Sequence, residues 1–94
     1  MAAVDTTVDI VGVTKLTGEA ITVIKMAQNM SRFPCAFWFQ DAQPDPAVTT
    51  PDLIWGGGAY EEAFPNPKAG ATEVWAAPAG NSPFTRMKFI HDAA

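Results

Sequence analysis

A chain of 94 residues and 10.0 kDa is long enough for one domain, 1–94, which would bury roughly 60–70% of the surface its unfolded form exposes, and too short for a second. A net charge of −4 and a pI near 4.6 repel a phosphate backbone and argue against nucleic-acid partners, and no apolar run approaches the roughly 20 residues needed to cross a bilayer as a helix. Charged residues make up 17% of the chain, below the ~25% usual for soluble domains, so more of the surface is left neutral or apolar, as on a face that a partner covers.

The opening Met1-Ala2-Ala3-Val4-Asp5 has neither a basic nor an apolar leader segment, so synthesis in the cytoplasm without a signal peptide is expected. Val4, Thr6, Val8 and Ile10 then alternate with Asp5, Thr7 and Asp9, the period-2 pattern of a strand with one apolar and one acidic face. This first strand is expected to run on through Val11 and Val13 to a hairpin at Thr17-Gly18-Glu19, where glycine accepts the positive φ of a tight loop, and to return over 20–27.

Two readings stand for the returning segment. Leu16, Ala20, Val23, Ala27 and Met30 share a helical face, with Thr17 as a possible N-cap, which would make the fold α+β with a helix over 17–31. The β-branched run Ile21-Thr22-Val23-Ile24 favours a strand, because branching at Cβ restricts χ1 in a helix and packs well on a pleated sheet. The tripeptide Asn29-Met30-Ser31 is formally a glycosylation sequon, read here as chance.

Phe33, Cys35, Phe37 and Phe39 alternate with Pro34, Ala36, Trp38 and Gln40 in the most aromatic strand, which should form the centre of the core, with Pro34 at its start or on an edge. Cys35 is the only cysteine; it cannot form an internal disulfide, and among phenylalanines it reads as a small buried hydrophobe. Residues 41–51 hold three prolines and are expected to be a stiff surface loop. Asp41, Asp45 and Asp52 in or beside it match no calcium-loop spacing, so a solvated acidic loop is expected and no metal.

Leu53-Ile54-Trp55 is a short apolar patch before Gly56-Gly57-Gly58; the glycines precede no Gly-Lys-Ser/Thr and so form no phosphate loop. A second loop spans 59–70, in which adjacent Glu61 and Glu62 point apart and form no acid/base pair. Strands resume over 71–77 and 84–91 across a Pro/Gly turn, with Met87 and Phe89 facing the core opposite Arg86 and Lys88. The basic residues are otherwise scattered, leaving no patch for an anionic membrane. His91, the only histidine, is expected on the surface at a strand end.

The fold expected is therefore all-β: a small sandwich or barrel of about six antiparallel strands with two long Pro/Gly-rich loops. No catalytic constellation, cofactor motif or metal-ligand spacing accompanies it, so a non-enzymatic role through the surface is expected. Trp55, Tyr60, Phe64 and Trp75 are the candidate binding residues, being aromatic and either in loops or opposite the presumed core; the competing reading places such rings in a second core layer. Trp55 and Tyr60 could serve as stacking platforms for sugar rings, with Asp45, Asp52 or Glu61 accepting hydroxyl hydrogen bonds, as in a small carbohydrate-binding module.

The run Ala71-Thr72-Glu73-Val74-Trp75-Ala76-Ala77-Pro78-Ala79-Gly80, followed by Phe84-Thr85-Arg86-Met87-Lys88-Phe89-Ile90, resembles small β-structured head-decoration and tail proteins of bacteriophages. In those proteins a strand ending in Ala-Ala-Pro turns into one carrying Arg-x-x-x-Ile. The resemblance spans residues 71–90 and implies a virion component without catalytic residues, partnered by a repeated capsid or tail lattice. Formation of a small homo-oligomer is the alternative expectation for a protein that works through its surface.

Overall fold

The computed structural model describes residues 3–16, 21–58, 62–64, 73–80 and 82–93. They form eight strands: β1 (Ala3–Ile10), β2 (Thr14–Lys15), β3 (Ile21–Asn29), β4 (Cys35–Phe39), β5 (Leu53–Trp55), β6 (Glu62–Ala63), β7 (Val74–Pro78) and β8 (Thr85–Ala93). The fold is all-β. One antiparallel sheet has the order β1-β8-β3-β6 and the other β2-β7-β4-β5. Inward side chains of both meet in one core of Ile10, Ile24, Ala27, Phe37, Val74, Met87 and Phe89 among others, so the sheets stack as a sandwich.

The count exceeds the six expected because β2 and β6 are two-residue strands, too short for any periodic signal. The alternation in β1 holds: Ile10 is fully buried, Thr6 and Val8 are half-buried, and Asp5, Thr7 and Asp9 face solvent. The expected hairpin between the first two long strands does not form. β8 lies between β1 and β3 and pairs with both, while the chain leaves β1 at Val11-Gly12-Val13 and crosses to the second sheet, where Leu16 N–H bonds Val74 O at 2.8 Å. The turn expected at Gly18 lies outside the described residues.

Segment 21–29 is a strand, which removes the α+β alternative there. Its register against β8 shifts twice, from Ile21↔Ala93 to Ile24↔His91 and again to Met26↔Ile90. Each shift inserts a residue, so the buried positions fall at Ile24, Ala27 and Asn29 rather than at every second residue. On the strand's other edge, one step beyond the Met26↔Ala63 pair with β6, the Lys25 carbonyl accepts the Phe64 amide at 2.9 Å and helps bring that ring to the core.

β4 is central in the second sheet and apolar on both faces. Pro34 stands just before its first residue, where a missing N–H breaks no ladder bond, and its carbonyl accepts the Ala79 amide at 3.0 Å. Inward, Phe37 meets Phe64, Trp55 and Phe89 edge-on at 5.1, 6.3 and 6.4 Å. Outward, Ala36, Trp38 and Ala77 form a second small apolar cluster. Residues 41–51 contain no strand and fold over this outer face, tied by the Trp38 indole N–H to Thr49 O at 3.1 Å.

Cys35 is buried in the main core. Burial pushes its thiol up to about 12, a backbone hydrogen bond with Ala77 offsetting part of the rise. In native protein at neutral pH the thiol should react with a disulfide reagent only as fast as the chain unfolds, and labelling should accelerate on adding urea. Rapid stoichiometric labelling without denaturant would contradict this burial.

Candidate functional site

Two of the four aromatic residues expected at a binding surface lie in the core. Trp55 and Phe64 are 7% and 4% exposed and stack on each other in the core at 5.7 Å, so neither ring can meet a ligand. Trp55 ends β5 facing inward, and the glycines after it serve close backbone packing rather than an open platform. Its indole N–H is buried and has no acceptor among the described residues. Trp75 is half-buried on the outer face of the second sheet, directly opposite Trp38 in register, with its indole N–H on Gln40 O at 2.9 Å. Tyr60 and Glu61 lie outside the described residues.

Nor do the carboxylates of the proline-rich loop converge. Asp52 Oδ2 accepts the Phe39 amide at 2.8 Å, and Asp45 Oδ1 accepts the Ala47 amide at 3.0 Å. Among the described residues no three acidic, histidine or cysteine side chains group as metal ligands. His91 is not a surface residue but 2% exposed. It continues the inward series Thr85, Met87, Phe89 on β8, and Nε2 lies 2.7 Å from Thr6 Oγ1. Its closeness to the end of the chain suggested mobility, but strands on both sides hold it.

Among the described residues two concave surfaces stand out. The first is the outer face of the second sheet, where a groove of about 190 Å³ is lined by Trp38, Pro46, Pro51, Ile54, Pro78 and Ala79, together with Ala36 and Gly80. None of these is charged, and Ile54 is 51% exposed beside it. Outward-facing sheet residues are ordinarily polar.

The second is a cleft of about 350 Å³ at the end of the sandwich, between the β3–β4 connection and the start of β8, lined by Met30, Ser31, Arg32, Phe33, Phe84 and Arg86. Its floor is a polar network. Asn29, 1% exposed, donates through Nδ2 to Phe33 O at 2.7 Å and to Trp55 O at 3.3 Å, while Oδ1 accepts the Ser31 amide and hydroxyl, both at 2.9 Å. Thr85 Oγ1 donates to Phe33 O at 3.0 Å. The formal sequon is thus consumed in packing, since its amide is buried and fully bonded.

From the other side the triglycine clamps the same connection. Gly58 N–H bonds Ser31 O at 2.7 Å with φ at +71°, and Gly57 lies so close to the Arg32 and Phe33 backbone that only a residue without Cβ fits. Phe33 and Phe84 pack edge-on at 5.3 Å across the cleft. Arg86 Nε donates to Asp9 Oδ1 at 2.6 Å; this bond holds the Asp9 carboxyl below its ordinary range, and the Arg86 guanidinium above its own. Arg32 is exposed and has no ion-pair partner among the described residues.

Sequence reasoning missed the cleft because its two halves, 30–33 and 84–86, are far apart in the chain. The only pointer was the shared Phe and Arg content of Arg32-Phe33 and Phe84-Thr85-Arg86. Comparison with protein-family models, with curated proteins and with solved structures gives no match for this chain.

Proposed function

We propose that the protein is a non-enzymatic virion component of a bacteriophage, a head-decoration or tail protein that docks on a repeated protein lattice. The observation that carries the docking part is the uncharged groove on the outer face of the second sheet, with Ile54 half-exposed beside it. Cores of protein interfaces are depleted in charge and rich in aromatic groups, and proline walls lose little conformational freedom on binding. The resemblance over residues 71–90 supplies the phage part; those residues include β7 and the first six residues of β8 and contribute Pro78, Ala79 and Gly80 to the groove.

Quantitative mass spectrometry of phage particles purified from the source of this sequence tests the reading. The chain is expected in the particles at a copy number matching a repeated subunit, and Ile54→Lys should lower that number about tenfold or more without changing the far-ultraviolet circular dichroism. Complete particles that lack the chain would overturn it.

A further inference from the structure

The cleft at the end of the sandwich and the turn at Asp45–Val48 are opposite in charge, the first carrying Arg32 and Arg86 and the second Asp45. The turn is closed by Val48 N–H and Thr49 N–H on Asp45 O, at 3.1 and 2.8 Å, and by the Asp45 carboxylate on Ala47 N–H. Asp45, Pro46, Ala47 and Val48 are all exposed, and Val48 at 79% is the most exposed large apolar residue described. It is a rigid apolar tip beside a carboxylate. The segment 41–52 around it carries Asp41, Asp45 and Asp52 and no basic residue.

The cleft has the opposite character. Above its polar floor the Phe33–Phe84 pair lines it with aromatic rings, Met30 is 52% exposed at its side, and Arg32 and Arg86 stand on it with no carboxylate but Asp9 described nearby. Aromatic grooves flanked by cations suit short proline-containing acidic segments. Both parts are held by backbone and buried hydrogen bonds, so little ordering is needed on contact.

We propose that the cleft receives the Asp45–Val48 turn of a second copy of this chain, with Val48 against Phe33 and Phe84 and Asp45 facing Arg32. Two copies of a chain at −4 repel on average, so a specific contact between them must bring unlike local charges together, and this pair of surfaces does so. The cleft lies at the end of the sandwich, while Pro46 of the turn lines the groove on its outer face. The contact is therefore head-to-tail, and repetition gives a ring if the rotation closes or a growing row if it does not. This goes beyond docking on a foreign lattice, and its test reads the isolated protein rather than the particle.

Light scattering after size exclusion, at low salt, with reductant and over a range of concentrations, is the test. Wild-type protein is expected to exceed the monomer mass as concentration rises and to fall back with added salt. Arg32→Glu spoils the cleft and Val48→Lys spoils the tip; both side chains are exposed and Val48 has no side-chain role in closing the turn, so folding is retained. Each variant alone should associate about tenfold or more weakly than wild type. Their equimolar mixture should regain at least a dimer, because one partner keeps its tip and the other its cleft. A wild-type monomer at every concentration, variants that associate like wild type, or a mixture that stays monomeric would each overturn the proposal and leave the lattice reading to the particle experiment.

Discussion

Gly57→Ala is expected to lower the thermal midpoint by about 12 °C or more, the equivalent of about 3 kcal/mol in a domain of this size. A Cβ at this position would overlap the Arg32 carbonyl group and sit 2.9 Å from Phe33 N. Those are backbone atoms, and they cannot swing aside as a side chain would. The connection is held in place by Gly58 N–H on Ser31 O and by the Asn29 amide on Phe33 O, so relief at one point breaks bonds at another. Gly56→Ala is the control: nothing lies within 4 Å of its new methyl, and the change should stay within about 0.5 kcal/mol. Equal midpoints for the two variants would show that the close approach at Gly57 is absent in solution.

Asn29→Ala should cost a similar amount, about 3 kcal/mol, for a different reason. Its amide closes four hydrogen bonds inside the protein, and removing it takes one bond each from the Phe33 and Trp55 carbonyls and the Ser31 amide and hydroxyl where water has little access. An unsatisfied buried group costs about 1–3 kcal/mol, and Phe33 O keeps substitutes in the Thr85 and Ser31 hydroxyls. Urea unfolding would read the effect as a lowered midpoint at unchanged slope. The same variant should loosen 30–33 and weaken any contact made through the cleft. A loss below about 1 kcal/mol would mean that water replaces the amide and that the floor of the cleft is wet.

Strands were legible wherever burial falls on one face. Val4 to Ile10 and Arg86 to Ile90 alternate because each has one inward and one outward side, and the alternation is read directly from residue types. Neighbours were not legible. A hairpin rule joins strands that follow each other in sequence, and it cannot see that the last strand inserts between the first and the third. The helix-like spacing of apolar residues from Leu16 to Met30 did not mark a buried face: Met30 is 52% exposed, and 21–29 is a strand whose register against β8 shifts twice.

At the site level, Trp55 misled because a ring beside glycines resembles an open platform. Here the absent side chains let Gly57 meet the Arg32 backbone while the ring turns inward. His91 misled through its place near the end of the chain, although its parity with Met87 and Phe89 already assigned it to the inner face. The cleft joins residues about fifty positions apart, and no local pattern encodes that meeting.

The position of β8 also sets when the first sheet can exist. Ala3 pairs with Asp92 and Asn29 with Met87, so neither β1 nor β3 has its long partner until the ribosome has made the last strand. At ~5–20 residues per second, β1 waits roughly 4–15 s after synthesis with Val4, Val8 and Ile10 unpaired. Chains on neighbouring ribosomes carry the same exposed segment, and strand-to-strand pairing between them competes with folding. Asp5 and Asp9, which add nothing to the finished core, then act as gatekeepers, keeping nascent copies of β1 apart until β8 arrives.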